Sequence, residues 1–116
     1  MAYVRHAVGR WGESYASEFL AERGFVILER NWRCSHGEID IVCMKRGVLY
    51  AVEVKTRQVL TFGYPEEAIT PKKLERMRRC ARAYAQMESG LGRIRVGLIA
   101  LYHTRTTVSI RLYTDL

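Results

Sequence analysis

Two strand-like segments meet at one tight turn, and this pairing constrains the chain more than any other feature. Glu38 to Met44 alternates apolar and polar residues, Lys45, Arg46 and Gly47 form a turn signal, and Val48 to Lys55 resumes as a second run of strand formers. Side chains two apart on a strand share a face, so a hairpin of this kind sorts its residues into two sets and needs something apolar on at least one face. A helical pattern lies on either side to supply it. From Gly9 to Arg23, residues Trp11, Tyr15, Ala16, Phe19 and Leu20 recur at three- and four-residue spacing and form one stripe, and Gly24 follows as a C-terminal cap. Thr70 and Pro71 form an N-cap and first-turn pair opening a second helix to about Met87, with Leu74, Met77, Ala81, Tyr84 and Ala85 on its buried face.

The remaining segments complete a sheet. Phe25 to Trp32 is rich in strand formers, a loop holds Gly63, Tyr64 and Pro65, and Arg93 to Tyr102 with Val108 to Tyr113 reads as a closing strand pair. The order helix, three strands, helix, two strands predicts an α/β or α+β domain with one sheet flanked by helices. At 116 residues, without repeats or a linker-like stretch, the expectation is a single domain spanning 1–116. Its composition, 48% hydrophobic and 27% charged, lies far from that of disorder.

Charge narrows the function classes. Nineteen Lys and Arg against twelve Asp and Glu give a formal net charge of +7, which favours a polyanionic partner: nucleic acid first, with ribosomal or anionic-membrane surfaces also compatible. No apolar run approaches the ~20 residues of a membrane span, and Met1 to Trp11 lacks the apolar core of a signal peptide, so a cytoplasmic location is expected. The three cysteines, Cys34, Cys43 and Cys80, have no close spacing that suggests a disulfide framework or a metal site, and are read as small buried hydrophobes. His6, His36 and His103 show no metal-ligand spacing, although His36 adjoins the start of the motif strand.

Chemistry concentrates in Gly37-Glu38-Ile39-Asp40-Ile41-Val42 and Val52-Glu53-Val54-Lys55-Thr56-Arg57. Period-two alternation sets Glu38 and Asp40 against Ile39 and Ile41, and Glu53 and Lys55 against Val52 and Val54. Such residues ordinarily form cross-strand ion pairs worth roughly 0.2–1 kcal/mol. If the hairpin register brings Asp40, Glu53 and Lys55 together, however, they form a site for Mg²⁺ or Mn²⁺. Such ions take a few carboxylate oxygens and complete their shell with water and phosphate. Asp40 and Glu53 would hold the ion, with the backbone carbonyl of Val54 as a further ligand, and Lys55 would orient water or stabilise charge on the phosphate.

These segments, with Gly9-Arg10-x-Gly12-Glu13, Arg23-Gly24-Phe25, Asn31-Trp32-Arg33 and Lys72 onward to Ala83-Tyr84, resemble the YraN-type family of bacterial proteins. That family falls in the PD-(D/E)XK nuclease superfamily and is similar to archaeal Holliday junction resolvases. The resemblance spans most of the chain in the family's order. It implies a restriction-endonuclease-like αβββαβ core, with Asp40, Glu53 and Lys55 on the metal-binding and catalytic positions and Glu13 as an acidic residue contributed by the first helix. Ala51 departs from the pattern, standing where a large aromatic is usual.

The second helix carries Lys72, Lys73, Arg76, Arg78, Arg79 and Arg82 against one acidic residue, Glu75, over that stretch. This reads as a phosphate-tracking ridge, with Lys72, Lys73, Arg76 and Arg79 as its contacts and Arg57, Lys45 and Arg46 extending it. Tyr64 is a candidate for stacking, whereas Trp11 and Trp32 are assigned to the core. The expectation that follows is a metal-dependent endonuclease acting on structured or branched DNA, working as a homodimer if the substrate is symmetric. A non-catalytic nucleic-acid-binding module of the same fold is the alternative, and an adaptor holding RNA or an acidic protein is a third reading.

Overall fold

The computed structural model describes the backbone of residues 5–58, 69–88 and 92–116, with side chains from residue 11 onward. The loop at Gly63, Tyr64 and Pro65 and the side chain of His6 lie outside the described residues. In chain order the elements are α1 (Arg5–Glu22), β1 (Val26–Cys34), β2 (Gly37–Lys45), β3 (Val48–Gln58), α2 (Pro71–Met87), β4 (Arg93–His103) and β5 (Val108–Tyr113). They form one five-stranded sheet in the order β1-β2-β3-β4-β5. Each neighbouring pair is antiparallel except β3 and β4, which run parallel in the register Val48↔Arg93 to Gln58↔His103. A parallel pair needs a crossover, and α2 supplies it. The result is an αβββαβ core in a mixed sheet flanked by helices, extended by β5.

Local chemistry fixes the element ends. At the close of α1, Phe25 donates its backbone N–H to Leu20 O (3.0 Å) and Gly24 to Ala21 O (3.1 Å), with Gly24 at φ 88°, a left-handed conformation that favours glycine. At the β2–β3 turn Arg46 and Gly47 both have positive φ, 51° and 77°, the pattern of a two-residue hairpin turn whose twist matches that of the strands. Thr70 caps α2, its Oγ1 accepting from Lys73 N at 3.1 Å, and Pro71 opens the helix.

The two helices cover opposite faces. Ala16 and Leu20 of α1 are buried against Ile41, Cys43, Val52, Ile99 and Leu101. Cys80, Ala81, Tyr84 and Ala85 of α2 are buried against Ile39, Val42, Leu49 and Ala51. Alternation along β2 and β3 feeds both layers, and each fully buried Leu or Ile contributes about 1.5–3 kcal/mol. Ala51, at 0% exposure beneath α2, has no room around it for an aromatic ring.

Three expectations from the sequence are corrected. Cys34 and Cys80 are not merely small hydrophobes: they are disulfide-bonded, Cα to Cα 5.9 Å, joining the end of β1 to α2. Their separation of 46 residues carries no short-range signal, and only the packing of α2 on the sheet brings them together. Cys43 is buried and free as expected, and burial pushes its thiol up to about 12. Trp11 is 41% exposed rather than core, lying against Tyr15 at 5.5 Å and presenting an edge contact to His103 at 6.4 Å. Trp32 is half-buried, edge-on to Tyr84 at 5.2 Å. On α2, Leu74 is only half-buried, and Cys80 joins the buried face.

Gly12 sets how closely α1 approaches β3. A Cβ there would lie 2.6 Å from Thr56 Cγ2 and 3.4 Å from Leu101 Cδ1. Gly12→Ala gains up to about 1 kcal/mol of helix propensity but forces overpacking that costs roughly 1–3 kcal/mol. The expected outcome is a net loss of stability in denaturant unfolding, largely recovered when Thr56→Ala is added. Failure of the second change to compensate would place the strain elsewhere.

Candidate metal and phosphate site

The site forms where β2 and β3 part. Their paired residues run from Lys45↔Val48 to Ile41↔Val52 and stop there. The next donor on β3, the N–H of Val54, bonds instead to Asp40 Oδ2 at 2.8 Å. A side-chain carboxylate thus takes the place of a ladder carbonyl, leaving the strands forked around it. The strict alternation expected of β2 fails at the same point: Ile41 packs on the α1 side, whereas Ile39 joins Val42 on the α2 side. Beyond Ile41 the strand pairs only with β1, through Trp32↔Ile39 and Arg33↔Glu38, and is free of the register that β3 imposes. Glu38 leaves the site entirely, exposed and 3.9 Å from Arg33.

Glu53 stands opposite Asp40 and is, among the described residues, the charged one buried in the core, 6% exposed. A buried carboxylate needs partners, and this one has two on a single oxygen: Lys73 Nζ at 2.8 Å and Lys55 Nζ at 3.2 Å from Oε1. Asp40 is different. Burial, and next the charge of Glu53, push its carboxyl from 3.8 up to about 7; the Val54 N–H pulls the other way, Glu13 adds a further upward push, and Lys55 opposes it. Glu53, Glu13 and Lys55 thus each act electrostatically on Asp40, Glu13 from α1 and the other two from β3.

Glu13 reaches the site from α1 because Gly12 lets that helix lie close to β3. Its outer oxygen is 4.0 Å from Arg30 of β1, which also donates to Ser14 Oγ at 3.2 Å. Arg30 and Lys73 are the residues that sequence reasoning misplaced or missed. Lys73 was expected on the phosphate-tracking ridge, but it turns inward to Glu53. Its position one turn into α2, beside the N-cap, was the available signal. The other ridge residues are placed outward: Lys72 and Arg76 are exposed, and Arg79 is exposed in an i,i+4 pair with Glu75 at 3.3 Å. Arg57 is half-buried beyond Lys55, donating to the carbonyl of Thr56 at 3.1 Å. Lys45 donates to Arg23 O at 2.7 Å near the β2–β3 turn, and His36 is exposed at the β1–β2 turn.

A fit for a divalent ion rests on the donor chemistry. Two carboxylates of like charge are held in a half-buried fork, the proton of Asp40 held more tightly by burial first and then by the charge of Glu53, and a hard cation is what such oxygens accept. Among the described residues no cluster of three His, Cys, Asp or Glu side chains converges on one point. Val54 is present through its N–H to Asp40. No described helix is long and apolar enough to cross a membrane.

The model of the uncharacterised protein family UPF0102 matches residues 12–101, from just before Glu13 to within two residues of the end of β4. A UPF0102 protein of a Nocardioides species is 42% identical over 110 residues, covering 94% of this chain and 89% of the relative. One from Streptomyces coelicolor is 45% identical over 101 residues, covering 84% of this chain and 78% of the relative. A third, from Dictyoglomus turgidum, is 46% identical over 79 residues, covering 68% and 67%.

Proposed function

The chain belongs to the uncharacterised protein family UPF0102, the YraN-type family, and from that premise we propose that it is a Mg²⁺- or Mn²⁺-dependent endonuclease acting on structured or branched DNA. One observation carries the reading: Asp40 and Glu53 are brought to the fork of β2 and β3 with Lys55 against Glu53. In this reading Asp40 and Glu53 hold the cation, with the Val54 carbonyl as a third protein ligand, and Glu13 adds negative charge from α1. A bound cation would polarise the scissile phosphate and acidify a coordinated water. Lys55 directs its ammonium at the charge developing on the phosphate, and the low-dielectric fork strengthens that interaction. Lys72, Arg76 and Arg79 along α2, with Arg57, position the nucleic acid without reading its sequence. Two copies would engage a symmetric junction, and a strict monomer in sedimentation with DNA present would remove the junction version.

The second reading is a nucleic-acid-binding module that cleaves nothing. It is favoured by Glu53 Oε1 already carrying two ammonium partners. Incubating the purified chain with branched and linear DNA, in Mg²⁺, in Mn²⁺ and with chelator, separates the two. Products that require the metal support the endonuclease. Salt-sensitive binding with no product on any substrate supports the module.

A further inference from the structure

The cations of α2 continue past the carboxylate site. Arg78 and Arg82 lie along the middle and later part of the helix, where they meet Arg93 and Arg95 from the start of β4 around an open concavity of about 480 Å³. Val48, paired with Arg93, is five residues before Glu53 on β3, or ~17 Å. Lys73 to Arg82 is nine residues of helix, or ~14 Å. The concavity is thus a separate place along α2, its near rim at Arg78, five residues or ~8 Å past Lys73, and its far rim at Arg82, with Lys72, Arg76 and Arg79 on the same helix.

Its charge is poorly compensated. Arg95 pairs with Asp115 at 3.1 Å, but that carboxylate is 82% exposed, and exposed pairs are worth little. Arg78 donates to the carbonyl of Leu116 at 3.2 Å. Arg82 and Arg93 have no ion-pair partner among the described residues. On the other face of the sheet, Arg93 and Arg95 also border a concavity shared with Arg23, Lys45 and Arg46. Guanidinium groups in this number favour phosphate oxygens. Among the described residues no aromatic ring lines the α2 concavity to stack on a base, and its described lining is mostly polar, unlike the apolar walls of a nucleotide pocket.

We propose that the concavity bounded by Arg78, Arg82, Arg93 and Arg95 binds a second stretch of phosphodiester backbone on the nucleic acid engaged at the Asp40–Glu53 fork. The inference rests on the nucleic-acid reading above. At an axial rise of ~3.4 Å per nucleotide, the interval from near to far rim corresponds to roughly two to five nucleotides of one strand.

The test measures binding of a labelled 20-base-pair duplex and a branched DNA by anisotropy from 50 to 300 mM salt. The proteins compared are wild type, Arg82→Glu/Arg93→Glu and the milder Arg82→Gln/Arg93→Gln, each checked for an unchanged thermal midpoint. The charge-reversed protein is expected to bind about tenfold more weakly at 100 mM salt, with the slope of log K against log salt smaller by about two. The Gln pair should show the same change of slope with a smaller loss of affinity. Wild-type affinity and slope in both variants would overturn this inference and leave the nucleic-acid reading standing. Wild-type protein without salt-dependent DNA affinity would overturn both. Binding of pyrophosphate or ATP that the variants abolish, with DNA affinity unchanged, would replace the polymer with a small phosphate ligand.

Discussion

Asp40→Asn is expected to raise the thermal midpoint at pH 8 while removing cleavage by at least ~10³-fold. The two effects share one cause. In the folded chain the Asp40 carboxyl is pushed up to about 7 by burial and then by Glu53, against 3.8 in the ordinary case. A carboxyl whose folded pKa is raised binds its proton more tightly when folded. Its contribution to stability is complete below pH 3.8 and is lost as pH rises through about 7. At pH 8 the fold therefore carries an ionised Asp40 beside Glu53 and Glu13 at its own expense. Asparagine removes that charge and keeps an oxygen to accept the Val54 N–H. A gain on the order of 2 kcal/mol, or roughly 8 °C, is expected at pH 8 without metal, and a clearly smaller one at pH 5, where the folded carboxyl is still neutral and only the unfolded chain's has ionised. Cleavage should fall because the amide cannot replace a carboxylate as a cation ligand or in offsetting its charge. Thermal melts at the two pH values decide the first part: an equal shift at both would mean that Asp40 does not carry the raised pKa. Full activity in Asp40→Asn would remove the residue from the chemistry.

Stability surrendered at one half-buried carboxylate is a cost that the proposed chemistry would account for and folding alone does not. It also shows what sequence could and could not convey. The β2–β3 hairpin was legible because its turn, Lys45-Arg46-Gly47, and its alternation are local, and the start of α2 was legible because Thr70 and Pro71 cap it by contacts within one turn. The convergence of Asp40, Glu53 and Lys55 followed from register, with Glu13 supplied by the family resemblance. The fork itself was not legible. Period-two logic assumes an unbroken strand, and β2 loses its β3 partner at Ile41, sending Ile39 to the α2 layer and Glu38 to solvent. The inward turn of Lys73, the approach of Arg30 to Glu13 and the Cys34–Cys80 bond each join elements distant in sequence. Helix periodicity says which residues share a face, not which of them meets a buried charge on the sheet beneath.

Lys55→Met and Lys73→Met are expected to part company in activity while agreeing in metal affinity. Both ammoniums lie on the same oxygen of Glu53, at 3.2 Å and 2.8 Å, so either one repels a cation that shares that carboxylate. Removing one positive charge at ~4 Å is worth about 1 kcal/mol even at the dielectric of water and more in a half-buried fork, which corresponds to Mg²⁺ binding tighter by roughly tenfold. Methionine keeps much of the side-chain volume, and the remaining lysine keeps Glu53 from being left as an unpaired buried charge, so both variants should fold. The difference lies in where each lysine originates. Lys55 shares the strand of Glu53 and is one of the groups acting on Asp40; in the proposed reaction its ammonium would face the phosphate, and its loss should lower the cleavage rate at saturating Mg²⁺ by roughly 10²–10³-fold, an order-of-magnitude figure for one transition-state donor. Lys73 reaches in from α2, is paired with Glu53 more closely, and acts as a positioning residue for that carboxylate; its loss should change the saturated rate by less than about tenfold. Calorimetric Mg²⁺ titration with single-turnover cleavage measures the two quantities separately. Equal loss of rate in both variants would make Lys73 a second catalytic ammonium, and weaker metal binding in either would show that the lysines hold Glu53 in place for the ion rather than compete with it.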